Sequence, residues 1–236
     1  MHEGDAGGAL IAAPPFALHC APPFLIARLA SPHRALGWCL LHPGFSVVRD
    51  VVWVEVRNAD LGPGVDPAAL LRTKLAEARV PDALAFMTSR DVSRWRLSEA
   101  RVDDVHAACL TTVGLPNAER IGSRRHARAV AGTINTLVRV SRPLSDGALV
   151  EAISIVAEAR TAAILETRQR EDGRAITGTG TDCVLVASPC EGEPVSCAGL
   201  HTAIGEALGA AVYRATREGA EEWDAENAGA LPNASV

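Results

Sequence analysis

The sequence holds a single lysine, Lys74, among its 23 basic residues, and acidic residues outnumber basic ones by five. A chain with this balance carries no electrostatic footprint for a nucleic-acid backbone. It also has no polybasic patch for anionic lipid. Arginine alongside abundant alanine reads as a GC-rich coding bias, so the arginine count implies no special chemistry. Long hydrophobic runs are absent: none reaches the roughly 18 residues of a membrane span. No C-x-x-C pair occurs. The six cysteines stand at 20, 39, 109, 183, 190 and 197, the last three seven apart, which matches no metal-ligand spacing. They read as reduced thiols, mostly small core residues. The opening stretch 1–8 carries Glu3 and Asp5 and lacks a basic flank. It does not read as a secretory signal, and a cytoplasmic location is the expectation.

What is present suffices for one core. The chain has 236 residues, 48% of them hydrophobic and 22% charged, a composition of folded domains rather than disordered ones. Strands are expected at 9–13, 24–30, 51–57, 83–88, 105–113, 133–140 and 182–187, with a further apolar run at 35–41. A short helix should run from Pro67 to about Ala78 with Asp66 as N-cap. A long helix should follow Ser145 or Asp146 to about Thr167, its buried stripe formed by Leu149, Ala152, Ile153, Val156, Ala163 and Ile164. A second long helix should span His201–Glu218 and end at Gly219. Between residues 88 and 105 the arginines at 90, 94 and 96 read as a polar connection. The expected fold is α/β or α+β: a single domain over 9–218, a mixed sheet packed by two long helices. Residues 1–8 are expected to be mobile and 219–236 to form a disordered tail.

Several segments could carry chemistry. Thr177-Gly178-Thr179-Gly180-Thr181-Asp182-Cys183 alternates glycine with threonine just ahead of a buried strand. The glycines let a ligand approach the backbone, and the N–H groups and hydroxyls could hold an anion or a developing oxyanion. A tight turn capped by hydroxyls is the plainer reading. His201 falls at the start of the last helix, where a helix N-terminus favours the neutral imidazole that a general base requires; a half-buried packing histidine fits equally. Thr88 and Ser89 end a strand, where α/β sheets commonly face a crevice. Asn117 lies in a Gly-Leu-Pro-Asn turn running to Glu119. Asn135 sits in an apolar strand, where its amide must bond to backbone or ligand. Glu158 reads as part of a solvated helix face.

Taken together these segments resemble the adenosylcobinamide amidohydrolase family. The resemblance rests on FMTSRDV at 86–92, TTVGLPNAERIG at 111–122, GTINTLV at 132–138, LVEAISIVAEARTAAILE at 149–166, TGTGTDCVLVA at 177–187 and GLHTAIGEALGAAVYRA at 199–215. It covers roughly residues 25–217. Two departures stand out. His42-Pro43-Gly44 replaces an Asn-Gly-Gly turn, and Glu158-Ala159-Arg160 replaces Glu-Ala-Lys, which keeps the charge but changes its geometry.

The resemblance implies hydrolysis of the amide joining the aminopropanol arm to the corrin ring, giving adenosylcobyric acid for cobamide salvage. It implies a corrinoid substrate that brings its own cobalt and no protein-bound metal or other cofactor. A homo-oligomer is compatible with it. Asp182 or His201 would act as general base on a water, with Gly178, Thr179, Gly180 and Thr181 holding the oxyanion. Alternatively a hydroxyl of Thr179, Thr181 or Ser89 would attack with His201 as its base, Cys183 being a third nucleophile candidate. Thr88, Ser89, Asn117, Asn135, Glu158 and Glu206 would contact substrate. Two rival readings are a corrinoid carrier that cleaves nothing and an amidase for a different small amide.

Overall fold

The structure is a computed structural model that describes residues 14–123, 132–167 and 175–228. The strand expected at 9–13, the start expected to be mobile and residues 229–236 of the expected tail lie outside the described residues. No helix among the described residues is long and apolar enough to cross a membrane.

Among the described residues, ten strands and three α-helices follow one another. They are β1 (Ala17–Ala21), β2 (Phe24–Trp38), β3 (Gly44–Glu55), α1 (Pro67–Glu77), β4 (Leu84–Thr88), β5 (Trp95–Val102) and β6 (Val105–Val113). Then come β7 (Ala118–Glu119), β8 (Ile134–Val140), α2 (Asp146–Thr167), β9 (Gly178–Thr179), β10 (Cys183–Pro189) and α3 (Ala203–Asn227). Eight strands form one sheet in the order β4-β3-β2-β10-β8-β6-β5, with β1 on the free edge of β2. β7 and β9 form a separate two-stranded ribbon. Two pairs are parallel, β3 with β4 and β8 with β10. Each is joined through a helix, as a parallel crossover requires.

β2 holds the sheet together and bends it. Its residues 24–28 pair with β1 on one edge, whereas 33–38 pair with β10, and its register with β3 shifts between Arg28 and His33. The two expected apolar runs at 24–30 and 35–41 are thus largely one strand with an irregularity. The bend lets the two halves of the sheet share one core. Trp53 and Phe86 from β3 and β4, their rings 5.0 Å apart, pack with Leu110, Leu137 and Leu185. Those three leucines stand side by side across β6, β8 and β10. Each is at most 1% exposed, and such burial stabilises by about 1.5–3 kcal/mol per side chain. On the outer faces, α1 covers Val52 and Val54, while α2 and α3 cover Cys109, Val138, Val184 and Val186.

Three expectations change. The polar connection after residue 88 contains β5, which lies on the edge of the sheet, and its half-exposed pattern hid it. The last helix does not end at Gly219 but runs to Asn227, so the proposed disordered tail does not begin at 219. A Cβ at Gly219 would stand 2.6 Å from Val113 Cγ2; glycine is there for close approach to the sheet, not as a stop signal. Beyond it, Glu222 and Glu226 pair with Arg90, Arg94 and Arg96, and the Arg90 guanidinium lies 5.0 Å from the Trp223 ring. Finally, only Cys109 among the thiols is fully buried; Cys20, Cys190 and Cys197 are exposed, and all six are free.

Candidate active site

The glycine–threonine loop is built around one carboxylate. Asp182 Oδ1 accepts from Thr179 Oγ1 at 2.5 Å and from the Ile134 amide at 2.9 Å. Oδ2 accepts from the Thr179 amide at 3.0 Å and lies 3.4 Å from Arg160 Nη1. That last contact is close enough for ion pairing but is not aligned as a hydrogen bond. Of the roughly four acceptor positions of a carboxylate, three take hydrogen bonds here, and the Arg160 charge stands beside Oδ2. The side chain is 7% exposed. Gly178 has to be glycine, because a Cβ would stand 2.4 Å from Oδ2. Thr181 Oγ1 donates to Gly132 O, and Thr133 Oγ1 donates to Thr181 O, each at 2.8 Å. Trp38 Nε1 donates to Asp182 O at 2.6 Å. The loop is therefore pinned to β2 and β8 from both sides.

The β7–β9 ribbon sets a second carboxylate beside this loop. Glu119 pairs with Gly178 across the ribbon. Its carbonyl accepts from the Thr177 amide at 2.8 Å, and Thr177 Oγ1 accepts from the Ile121 amide at 2.7 Å. A cleft of about 610 Å³ opens here, lined by Glu119, Arg120, Ile121, Arg160, Thr177–Gly180 and Asp182. Among the described residues, Glu119 Oε2, Arg160 Nε and nearby Asn117 Oδ1 are buried without a hydrogen-bond partner. Asn117 abuts Gly132, where a Cβ would come 2.7 Å from Asn117 Oδ1. Buried polar atoms are nearly always paired, so orphans grouped around a cleft mark a place where a ligand completes the bonding.

The other sequence candidates divide sharply. Asn135 is fully buried; its Nδ2 donates to Met87 O at 2.9 Å and its Oδ1 lies 3.2 Å from Thr133 Oγ1. It ties β8 to β4 and has no side-chain atom exposed for a substrate. Thr88 is 2% exposed, and its hydroxyl accepts from the Arg90 amide, so it too shapes a turn. Ser89 follows it on the exposed side of that turn. Cys183 donates to Thr181 O, and burial pushes its thiol up to about 11, which removes it as a nucleophile near neutral pH.

His201 is not brought to the loop. Asp182 precedes β10, and His201 follows the segment that leaves its other end; a seven-residue strand spans about 20 Å. The α2 contacts agree. Glu151 accepts from the Ala198 amide just before α3 at 2.7 Å, whereas Arg160 faces Asp182, and those two α2 positions are about 13 Å apart. The scheme in which His201 serves Thr179, Thr181 or Ser89 is therefore not supported. His201 and Glu206 are exposed at the start of α3, where Thr202 is the N-cap. Glu158 is also exposed and lines a separate, mainly apolar groove with Leu200 and Tyr213.

Glu119 and Arg160 were missed as site residues by the sequence reading. Glu119 ended a segment read as a turn, and only the non-local β7–β9 pairing turns it toward the loop. Arg160 was noted for its chemistry but not placed.

Comparison with known proteins gives a consistent picture. A protein named adenosylcobinamide amidohydrolase from Halobacterium salinarum is 32% identical over 108 residues, 46% of this chain and 44% of that protein. An uncharacterised protein of Methanocaldococcus jannaschii is 27% identical over 159 residues, 58% of this chain and 62% of that one. Both matches span less than two thirds of the curated relatives. Among solved structures, a Burkholderia beta-aminopeptidase aligns over 83% of this chain and 76% of its own, with a TM-score of 0.43 and 11% identity, a likeness too remote to carry mechanism. The model of the family described as "Adenosylcobinamide amidohydrolase" matches residues 13–228, nearly the whole chain. The chain belongs to the adenosylcobinamide amidohydrolase (CbiZ) family.

Proposed function

We propose that this protein hydrolyses the amide joining the aminopropanol arm to the corrin ring of adenosylcobinamide, releasing adenosylcobyric acid for cobamide salvage, at the cleft beside Gly178–Asp182. Family membership supports the reaction class. The observation that carries the site is the set of buried, unpartnered polar atoms on Glu119, Arg160 and Asn117 around a loop held rigid by Asp182.

The cleft suits an arm rather than a macrocycle. About 610 Å³ is the size of a pocket for a small ligand, so the arm and its amide enter while the corrin lies over the rim. Ile121, 81% exposed on that rim, offers apolar contact. The exposed backbone at Gly180 lets the amide approach, and Arg160 Nε, buried and unpartnered, would donate to its carbonyl oxygen. Donors that meet a developing oxyanion commonly supply 10²–10³-fold in rate, so this contact is asked for about 3–4 kcal/mol. Asp182 organises the loop, since both of its oxygens already accept from Thr179 or Ile134. The cobalt arrives with the substrate, and no further cofactor enters the reading.

A covalent version has one specific support: Thr179 Oγ1 donates to Asp182 at 2.5 Å, a nucleophile–base contact. Quenching the reaction and weighing the intact protein separates the routes, since a corrinoid acyl-enzyme adds its mass to the chain and the water route adds none.

The test of function is incubation of purified protein with adenosylcobinamide, followed by chromatography and mass spectrometry. Conversion to adenosylcobyric acid with loss of the aminopropanol arm is the expected result. Stoichiometric binding with an intact ligand would replace this reading with a carrier. Turnover of other amides alone would replace it with a different amidase.

A further inference from the structure

We infer that Glu119 is the catalytic general base and proton shuttle of the amide hydrolysis, a role for which sequence reasoning nominated Asp182 or His201. The inference rests on the function proposed above and adds a residue to its site.

A base for a substrate water needs a free acceptor that faces the cleft. Asp182 is committed to the loop, because Thr179 Oγ1, Thr179 N and Ile134 N donate to its two oxygens and the Arg160 guanidinium stands 3.4 Å from Oδ2. His201 lies at the other end of β10. Glu119 meets the requirement. Its Oε2 is buried, has no partner among the described residues, and belongs to a side chain lining the cleft. Burying a polar atom without a partner is unfavourable, and a bound water or substrate relieves it. The placement is firm, because the Glu119 backbone is held by the ribbon: the Glu119–Gly178 pairing, the Thr177 amide on its carbonyl, and the fully buried Ala118 beside it.

The loop lies directly against this side chain: a Cβ added at Gly180 would stand 3.9 Å from Glu119 Cγ, an ordinary contact distance. Glu119 and Arg160 line the same cleft, an acceptor for the water and a donor for the carbonyl oxygen. Such a pairing is what attack on an amide requires.

The water oxygen bonds to the amide carbon while Glu119 Oε2 takes one of its protons and the carbonyl π pair moves to oxygen. The tetrahedral intermediate then collapses, the C–N bond breaks, and the proton on Glu119 passes to the departing nitrogen. Glu119 returns to its carboxylate, one water is consumed, and the products are a carboxylic acid and an amine.

The experiment compares wild type, Glu119→Gln, Glu119→Asp and Glu119→Gly, each checked for folding by thermal melting and for substrate binding by titration of the corrinoid absorbance. Expected is a fall in kcat of about 10²–10⁴-fold in Glu119→Gln, with binding within a few-fold of wild type. The Asp variant should keep part of the rate, and added formate should restore turnover to Glu119→Gly, which a structural role would not allow. Glu119→Gln turning over within five-fold of wild type, or losing only affinity, overturns the assignment and leaves the proposed function standing. A folded wild type that does not hydrolyse adenosylcobinamide removes both.

Discussion

The two ends of β10 make opposite use of similar residues. At its start, Thr177–Asp182 is locked by hydrogen bonds to β2 and β8, and buried polar atoms stand unpartnered around a cleft. Past its far end, His201 just before the N-cap of α3 and Glu206 on its first turn are exposed, and the nearby groove is mainly apolar. Both regions hold residues that could do acid–base chemistry. What separates them is desolvation with preorganisation: a donor or acceptor fixed in a dry site stabilises a transition state far more than one that must reorient from water. The contrast teaches that residue type nominated both ends and only tertiary bonding chose between them.

The largest effect should come from breaking the organiser. Asp182→Asn places an amide N–H₂ against donors already aimed at Asp182, whichever way the side chain is turned. A buried donor left unmade costs about 1–3 kcal/mol, and the variant should melt lower and lose at least about 10²-fold in turnover. Full activity in that variant would dissolve the distinction between the two ends.

Arg160→Met removes the donor proposed for the amide carbonyl. A fall in kcat of about 10²-fold, measured with binding intact, would sharpen the assignment; a change in affinity alone would make Arg160 a binding residue. Gly219→Ala acts at neither end. It should lower stability by about 1–3 kcal/mol through overpacking on Val113, read by denaturant unfolding, with kcat unchanged in the folded protein.

The thiols give a smaller, pH-dependent effect. Burial pushes Cys39 up to about 12 and Cys183 up to about 11. An unfolded thiol ionises near 8.5, so the folded state holds these protons longer. That stability is fully present below about pH 8.5 and declines as pH rises toward 11–12. Alkylation at pH 8 should therefore label exposed Cys190 and Cys197 well before Cys39 and Cys183, by peptide mass mapping. The smallest effect is expected for His201→Ala, with turnover within about two-fold of wild type; a large loss would return the chemistry to the far end of β10.

Much of the fold was legible because it is written in local periodicity. The alternating runs of β3 and β8, the apolar run of β6 and the apolar stripe of α2 each announce themselves within a window of ten or twenty residues. The Asp66 cap was equally readable, and it does accept from the Ala68 amide. What escaped was non-local or edge-bound. β5 is half-exposed, so its pattern looked like a polar loop. Gly219 looked like a helix stop because its contact, Val113, lies on another strand. For the site, the glycine–threonine loop was found from its composition, but its inner logic was not. That Asp182 faces inward to bind the loop, that Asn135 is taken up by Met87 O, and that Glu119 reaches the cleft all follow from strand pairing, which no spacing reveals.

The central claim is that amide hydrolysis takes place at the Asp182 end of β10 and not at the His201 end. The direct measurement is conversion of adenosylcobinamide to adenosylcobyric acid by wild type, Glu119→Gln and His201→Ala at matched concentration, with melting temperatures in parallel. The account predicts that wild type and His201→Ala convert it and Glu119→Gln does not. Conversion by a folded Glu119→Gln with loss in a folded His201→Ala would contradict it.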